Sequence, residues 1–275
     1  MGKDQITVSV VIPMFNASNT IIAAVESVVK QVWLPSSIEL IVVDDGSTDN
    51  SAELVDAWMN QYRCQNFQLK LIRKNNGGVA SARNRGVRES KNKWITFLDS
   101  DDTWTKDRLL KFKKIIYEVS DIDFLGGNLS NSKTTIPFIG VLPYLYKVPI
   151  RSLLIKWVPQ TSTVAVKKSV LMDVGLYNEN MRYAEDGDLY LRVAAKFNYF
   201  VVQEQFANYG SGKRMYGVSG LSGNLFGMFK GNLEILNHAF KDKNIGIADY
   251  VIFTLWNVIK YLRRIVITFI KGRKI

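Results

Sequence analysis

Residues 38–59 read IELIVVDDGSTDNSAELVDAWM, and this stretch decides the predicted fold. It opens with a short, mainly apolar run rich in β-branched side chains, which predicts a buried strand over residues 38–43. Residues 51–59 carry apolar side chains at helical spacing, and the loop before them has the Asp, Gly, Ser and Thr residues that suit a turn and a helix start. The stretch therefore predicts a strand, a loop and a helix.

The same pattern recurs on both sides of this stretch. Predicted strands at residues 7–12, 67–72 and 94–98 precede helical patterns at residues 21–28, 79–87 and 107–117. Such an alternation predicts an α/β fold with a Rossmann-like, mostly parallel sheet flanked by helices. Ligands of these sheets bind beyond the carboxyl ends of the strands, so we expect the site in the loops that follow them.

The alternation weakens in the second half of the chain. We predict strands at residues 123–127 and 161–166 and a helix that opens at residues 185–188. We expect this half to complete the site, with Trp157, Gln160 and Tyr183 as candidate lining residues. Residues 209–224 contain five glycines together with Lys213 and Arg214, which predicts a surface loop, either a lid or an ordinary connection.

Composition limits the possible chemistry. The 275 residues include 36 Lys and Arg against 25 Asp and Glu, and the net charge of +11 favours an anionic partner such as nucleotide phosphate, nucleic acid or acidic lipid. The only histidine is His238 and the only cysteine is Cys64. This argues against histidine-rich metal sites, the usual hydrolase triads and an internal disulfide. We therefore expect carboxylates to carry the chemistry.

Three acidic clusters, at residues 44–49, 99–102 and 185–188, follow predicted strands or open a predicted helix. Each has an ordinary explanation as a turn, a helix cap or an acidic first turn. The three carboxylates at residues 99–102 are nevertheless costly unless a cation or a sugar hydroxyl compensates them. Carboxylate oxygens are the ligands that Mg²⁺ and Mn²⁺ prefer, so this cluster predicts a divalent cation.

Residues 75–86, NNGGVASARNRG, form a glycine-rich entry into a helix of small residues. A glycine loop before a helix can bind phosphate, but it also fits an ordinary turn. Arg83 lies about one and a half turns into this helix, from where it could point back to the strand ends and meet a uracil or phosphate group.

Together, these motifs resemble those of family 2 glycosyltransferases, inverting enzymes of the GT-A fold. The resemblance covers roughly residues 5–200 and rests on five motifs in order, which are PMFN at 13–16, DDGSTD at 44–49, N-G-ARN at 76–84, FLDSDD at 97–102 and ED at 185–186. It implies a GT-A domain over residues 1–230, with a nucleotide-binding half at about 1–120 and an acceptor half at about 121–230. A basic, amphipathic helical segment follows at 231–275.

The resemblance also implies roles for individual residues. Asp45 would hold the uracil of a UDP-sugar and Arg83 would assist at the nucleotide. Asp101, with Asp99, would bind Mn²⁺ or Mg²⁺, and Asp186, with Glu185 beside it, would be the catalytic base. The implied donor-binding set is Pro13, Asn16, Asp45, Asn76, Gly78, Arg83, Asp99, Ser100 and Asp101.

The implied reaction is a single displacement. Asp186 would take the proton of an acceptor hydroxyl while that oxygen attacks the anomeric carbon opposite the departing UDP, which inverts the centre and gives a β-linkage. The cation would stabilise the charge on the leaving diphosphate. We expect a hexose, glucose or galactose, as the sugar and a polyprenyl diphosphate-linked saccharide of bacterial surface polysaccharide, such as O-antigen, as the acceptor.

The C-terminal residues 252–271 predict an amphipathic helix. Asn257, Lys260 and Arg264 recur at helical spacing, with Phe253, Trp256 and other apolar residues largely elsewhere on the wheel. Charges interrupt the apolar stretches, so we expect either binding to an anionic membrane surface or docking on the protein's own core. The N-terminal residues lack a secretory signal, which predicts a cytoplasmic protein, peripheral at the inner face of the cell membrane.

Three other functions were weighed. A sugar nucleotidyltransferase would need a glycine- and arginine-rich loop after the first strand, where this chain has PMFN. A nucleic-acid-binding protein would use the net charge but would not need carboxylates around one cleft, so no nucleic acid partner is expected. A non-catalytic protein that binds the nucleotide or the sugar stays open, since sequence does not reveal productive geometry.

Overall fold

A computed structural model of the chain describes residues 5–62, 67–131, 133–210 and 223–272, of which 271 and 272 are described by their backbone alone. Cys64, Lys213, Arg214 and most of the predicted loop at 209–224 lie outside these residues. The first four predicted strand and helix units are confirmed. Their elements are β1 (Thr7–Met14), α1 (Ile21–Val29), β2 (Ser37–Asp44), α2 (Ser51–Gln61), β3 (Gln68–Arg73), α3 (Val79–Glu89), β4 (Trp94–Phe97) and α4 (Arg108–Glu118).

The remaining elements extend the sheet and cover its second half. The strands are β5 (Thr103–Trp104), β6 (Phe124–Leu129), β7 (Thr135–Ile136), β8 (Gly140–Val141), β9 (Leu145–Lys147), β10 (Ala165–Lys167) and β11 (Tyr199–Asn208). The helices are α5 (Ile150–Ile155), α6 (Lys168–Val174), α7 (Glu185–Lys196), α8 (Leu225–Lys241) and α9 (Ile247–Gly272).

One mixed sheet organises the described residues, with strand order β3-β2-β1-β4-β10-β6-β11-β5 and β9 paired to β11. The strands β3, β2, β1 and β4 are parallel, as are β6 and β11, whereas β10 is antiparallel to both of its neighbours. Strand β1 lies inside the parallel half and is buried on both faces. Its register with β2 and β4 brings the carboxyl ends of all three strands to one edge.

The second half differs from the sequence prediction at residues 161–166. Residues Thr161–Thr163 form a 3₁₀ turn, and only Ala165–Lys167 pair as a strand. The turn forms because the carbonyl of Ser162 accepts bonds from the Trp104 indole, at 3.1 Å, and from the Arg108 guanidinium, at 2.8 Å. That carbonyl is therefore unavailable to a strand ladder. The strand predicted at 123–127 is present as β6 and extends to Leu129.

The C-terminal helix α9 docks with an unexpected face inward. Asn257, from the predicted polar stripe, is buried, and Lys260 donates to the carbonyl of Ile155 at 3.4 Å. Apolar residues such as Leu255 and Phe269 are exposed instead, at 60% and 62%. Among the described residues, no helix combines the length and the apolar character needed to cross a membrane.

Gly86 allows α3 to lie close against the central strand, and its replacement tests that packing. An alanine Cβ at this position would lie 2.3 Å from Cγ1 of the buried Val11. We expect Gly86→Ala to destabilise the fold by about 1–3 kcal/mol in urea unfolding, because the overlap outweighs the better helix propensity of alanine. The matched control is Gly246→Ala, whose Cβ would have no neighbour within 4 Å. Equal midpoints for the two variants would refute the close packing.

Candidate active site

The loops after β1 and β2 are held together by Asn16. This residue adopts a left-handed backbone conformation, with φ of 48°. Its side-chain oxygen accepts a bond from the backbone N–H of Thr48 at 2.8 Å, and its own N–H donates to Ser47 Oγ at 3.0 Å. Pro13, just before this loop, is buried near the end of β1. The first motif therefore shapes the loop that carries the second.

Asp45 is buried and anchors the glycine-rich loop. Its carboxylate accepts bonds from the N–H groups of Gly77 and Gly78, at 3.0 and 2.7 Å, and from the Lys74 ammonium at 2.6 Å. Gly78 has φ of 86°, which only glycine adopts readily, and Asn76 beside it is exposed. A uracil at Asp45 remains a prediction, and it would have to share or displace these donors. Sequence reasoning missed Lys74, although it directly precedes the motif.

Arg83 joins three of the motifs at one point. Its guanidinium donates to Asp99 Oδ1 at 2.9 Å and to Glu185 Oε1 at 2.8 Å. Arg83 and Glu185 are both buried, so this is an ion pair shielded from water. The predicted direction of the side chain, toward the strand ends, is confirmed; its contact with a nucleotide stays a prediction. Arg83 thus connects helix α3, the end of β4 and the start of α7.

The charge on Arg83 is stabilised by its carboxylate partners. Burial by itself would lower the pKa of the guanidinium, but the negative charges of Asp99 and Glu185 raise it well above its ordinary value. Within the described parts of the chain, the buried Nε atom of Arg83 has no hydrogen-bond partner, and the ring of Tyr177 lies 5.2 Å from the guanidinium carbon. Tyr177 was not among the predicted site residues, because nothing in the sequence marks its contact with a helix so far away.

Glu185 and Asp186 bind protons more readily than ordinary carboxyl groups. Burial is the main reason that the pKa of Asp186 is raised; Arg83 opposes this shift and Asp99 adds to it. The pKa of Glu185 is raised by burial and then by the negative charge of Asp186. Asp186 Oδ1 accepts a bond from the N–H of Gly187 at 2.8 Å. A carboxylate with a raised pKa beside a buried cation has the properties of a general base.

The carboxylates at residues 99–102 divide into two kinds. Asp102 is buried and accepts a bond from Ser162 Oγ at 2.6 Å; burial, followed by the charge of Asp99, raises its pKa to about 7. Asp99, Ser100 and Asp101 are partly exposed at the carboxyl edge of the sheet. Asp102 therefore fastens the loop from inside, while Asp99 and Asp101 lie nearer to solvent.

Asp99 and Asp101 are suited to a cation that takes most of its ligands from the phosphates of a substrate. In the parts of the chain that the structure describes, no three His, Cys, Asp or Glu side chains come together as a metal cage. One oxygen of Asp99 is bound to Arg83, and the side chain is 36% exposed. Mg²⁺ and similar ions commonly use one or two protein carboxylates together with substrate phosphates. The donor set matches that arrangement.

The second half of the chain supports the start of α7. Tyr183 packs against α8, where a Cβ on Gly227 would come within 2.6 Å of its ring. The indole of Trp157 donates to Asn232 of α8 at 2.8 Å and lies against Gly187. Both residues therefore adjoin the Glu185–Asp186 segment through their packing. Gln160, the third predicted lining residue, is exposed in the neighbouring loop.

Asp188 has a structural role separate from the cluster around Arg83. It is buried and accepts bonds from the Arg192 guanidinium at 2.7 Å. The only histidine of the chain, His238 on α8, also pairs with Asp188, at 2.9 Å. The contact with Arg192 lies within α7, and the contact with His238 joins α7 to α8. The acidic run at 185–188 therefore combines two carboxylates at the candidate site with one that holds helices together.

Removal of the Arg83 guanidinium would leave Glu185 buried without its cation. We expect Arg83→Met to lower the free energy of unfolding by about 3–5 kcal/mol, since breaking one side of a buried ion pair leaves an uncompensated charge. Urea unfolding measures the loss. Arg85→Met is the matched control on the same helix, because Arg85 is half exposed and its pair with Glu89 contributes about 1 kcal/mol or less. A loss equal to that of the control would contradict the role assigned to Arg83.

Comparisons with known proteins agree with this arrangement. The glycosyltransferase GlyG of Streptococcus pneumoniae serotype 4 is 39% identical over 124 residues, which make up 45% of this chain and 39% of GlyG. S. aureus TarS 1-349, solved in complex with UDP-GlcNAc, superposes with a TM-score of 0.67 at 20% identity, over 90% of this chain and 70% of TarS 1-349. The mannosyltransferase PcManGT of Pyrobaculum calidifontis, solved with GDP-Man and Mn²⁺, has a TM-score of 0.66 at 18% identity, over 86% of this chain and 65% of PcManGT.

These likenesses have different weights. The solved structures share the fold, which is the GT-A type of α/β fold expected from the motifs. The chain spans between 26% and 39% of the length of the first curated relatives that it matches. The family model for glycosyl transferase family 2 matches residues 9–171, more than half of the chain, and this range contains four of the five motifs. The chain therefore belongs to glycosyl transferase family 2.

Proposed function

We propose that the chain is an inverting glycosyltransferase that transfers a hexose from a UDP-sugar to a hydroxyl of a lipid-linked saccharide. The observation that carries this proposal is the buried ion-paired cluster of Arg83, Asp99 and Glu185, with Asp186 beside it. It unites motifs from both halves of a family 2 chain at the carboxyl edge of the sheet, where a nucleotide-sugar would bind. A sheet edge that lacked a carboxylate able to accept a proton would suit a protein that only binds the nucleotide-sugar.

Asp186 is the proposed base. It accepts the proton of the acceptor hydroxyl as the acceptor oxygen forms a bond to the anomeric carbon, and the bond from that carbon to the UDP oxygen breaks on the opposite face. The anomeric centre inverts, so that an α-linked donor gives a β-linked product. The buried charge of Arg83 keeps Glu185 and Asp99 in position, and the raised pKa of Asp186 makes it a stronger proton acceptor than an ordinary aspartate.

A divalent cation, Mn²⁺ or Mg²⁺, is the proposed cofactor, with Asp101 and Asp99 as its protein ligands. Such an ion supplies positive charge that stabilises the departing diphosphate without proton transfer. Both carboxylates are partly exposed at the sheet edge, which leaves them accessible to a nucleotide. The relative PcManGT was solved with Mn²⁺ and a nucleotide-sugar, which supports the same need in this chain.

The proposed donor is a UDP-sugar and the proposed acceptor is a lipid-linked saccharide. TarS was solved with UDP-GlcNAc, which supports a UDP-sugar as donor, with Asp45, Asn76 and Gly78 beside the base and ribose. We propose glucose or galactose as the transferred hexose. The acceptor is proposed to be a polyprenyl diphosphate saccharide of bacterial surface polysaccharide, used at the cytoplasmic face of the membrane. The exposed apolar side of α9 supports an acceptor held in lipid.

The reaction is tested by the release of UDP from a panel of UDP-sugars with Mn²⁺, with and without a polyprenyl diphosphate-linked acceptor. We expect release from one donor, its loss with a chelator, and a loss of about a hundredfold or more in Asp186→Asn and Asp101→Ala. Asp173→Asn, an exposed change on α6, should retain full activity. Absence of release from every UDP-sugar, or turnover that survives both active-site changes, would disprove the proposal.

The acidity of Asp186 should be visible in the pH profile. Because burial raises the pKa of this base above its ordinary 3.8, kcat/KM should fall as the pH drops through a value above 3.8, where the base becomes protonated. Asp99→Asn removes a negative charge that raises this pKa, so the acid limb should move to lower pH even though the rate falls. Asp173→Asn should leave the limb in place. An acid limb at or below 3.8 would exclude Asp186 as the base.

A further inference from the structure

Helix α9 presents a long apolar row to solvent. The exposed side chains include Leu255, Ile259, Leu262, Val266, Phe269 and Ile270, each more than half exposed. From Val251 to Phe269 the row extends for about 27 Å at the rise of an α-helix. A contiguous apolar surface of this length on a solvent-exposed face is unusual and marks an interaction site.

The row points outward because the opposite face of α9, where Phe253 is buried, is fixed by apolar packing and by polar contacts. The Trp256 indole donates to the carbonyl of Ile155 at 3.2 Å, and the Lys260 ammonium donates to the same carbonyl at 3.4 Å. Tyr261 stacks on Phe229 of α8 with ring centres 4.7 Å apart. Rotation of the helix to bury the row would break all three contacts. The exposure is therefore a consequence of the docking of α9.

Two neighbouring elements place further exposed aromatic side chains at the flanks of α9. The turn between β7 and β8 carries Phe138, which is 84% exposed and whose ring lies 5.4 Å from that of Trp256. Ile139 in the same turn is also exposed. At the start of α8, Phe226 is 63% exposed, with its ring 6.5 Å from that of Tyr261. The apolar side chains of three separate elements thus face solvent together around α9.

The charges on this helix identify the chemistry of the partner. Arg263 and Arg264 are both exposed; Arg263 borders the apolar row, whereas Arg264 continues the stripe of Asn257 and Lys260 on the other side of the helix. The only acidic residue of α9 is Asp249, which is paired with Arg151 at 3.1 Å, and no acidic residue follows it in the sequence. Apolar side chains together with arginines, without carboxylates, match the acyl and headgroup layers of an anionic lipid surface.

A second copy of the chain fits this surface less well. A two-fold pair of α9 helices packed through the apolar row and centred near Leu262 would bring Arg263 of one copy close to Arg263 of the other. The sequence after Asp249 contains no acidic side chain to compensate these two charges. Like charges at an interface oppose association, whereas an anionic bilayer attracts them.

We infer that the surface formed by the outward row of α9, Phe138 and Phe226 seats the protein on an anionic lipid bilayer, with α9 lying in the plane of the interface. This inference deepens the proposed function, because a lipid-linked acceptor lies in such a bilayer. Binding to the bilayer does not require catalysis, so membrane binding and catalysis are measured separately. The apolar row enters the headgroup and acyl boundary, and the arginines bind lipid phosphates.

Vesicle flotation tests the inference with the full chain. We expect the protein to float with vesicles of phosphatidylcholine and phosphatidylglycerol, and less with phosphatidylcholine alone. The double variant Leu262→Gln, Val266→Gln should reduce the vesicle-bound ratio about tenfold or more, because two apolar side chains no longer enter the lipid. Arg263→Glu with Arg264→Glu should weaken the preference for the anionic vesicles, because two of the basic side chains of the segment become acidic. Val32→Gln and Met172→Gln, exposed apolar residues away from α9, should float like the unchanged chain.

Three outcomes would overturn the inference. They are recovery of the intact chain at the bottom of both gradients, equal flotation of the Leu262→Gln, Val266→Gln variant, and a dimer in sedimentation that this variant loses while no form floats. The last would assign the surface to a second copy. Thermal unfolding of each variant checks that these surface changes leave the fold intact.

The proposed function is tested by UDP release, which is measured independently of flotation. The α9 variants should release UDP from donor and a short, water-soluble acceptor at the rate of the unchanged chain, because none of the changed residues lies at the strand edge. Flotation without any UDP release would disprove the transferase while keeping the lipid surface. UDP release without flotation would support the transferase and disprove the lipid surface.

Discussion

The buried guanidinium of Arg83 is the constraint on which the candidate site depends. A charge in this position is stable only because carboxylates from two distant segments, at Asp99 and Glu185, surround it. The pair therefore fixes the end of β4 against the start of α7 and encloses Asp186 in the same low-dielectric region. Burial raises the pKa of Asp186, while the positive charge of Arg83 lowers it and the negative charge of Asp99 raises it, so the charges that hold the segments together also act on the candidate base.

Packing around the start of α7 keeps these side chains in position. Small residues allow it: Gly187 lies against Trp157, and Gly227 of α8 lies against Tyr183. Larger side chains would push α8 away from the segment that carries the base. Asp188, buried on α7, adds a contact with His238 of α8 to the same helix pair. The second half of the chain therefore contributes rigidity to a site whose charges come from both halves.

The sequence predicted the first half of the fold well, because buried parallel strands and amphipathic helices have local patterns. It could not predict partners that lie far apart in the chain. Arg83 and Glu185 are separated by 102 positions, and Asp45 binds backbone N–H groups that no side-chain pattern reveals. The strand predicted at 161–166 was partly wrong for the same reason, since the Ser162 carbonyl is held by Trp104 and Arg108 from elsewhere in the chain. The motifs selected residues whose contacts with one another are set by tertiary structure, and their roles stay predictions.

The orientation of α9 shows where a sequence pattern was correct and its interpretation incomplete. The helical wheel separated polar from apolar residues, and in an ordinary globular protein the apolar side would face the core. Here Asn257 and Lys260 face the protein, and burial lowers the pKa of Lys260 to about 8. A fold accepts such a cost where function requires it. An outward apolar side is favourable if the surroundings of the helix are partly lipid, so the inferred contact of α9 with a bilayer would follow the same physical rule that buries β1 in the core.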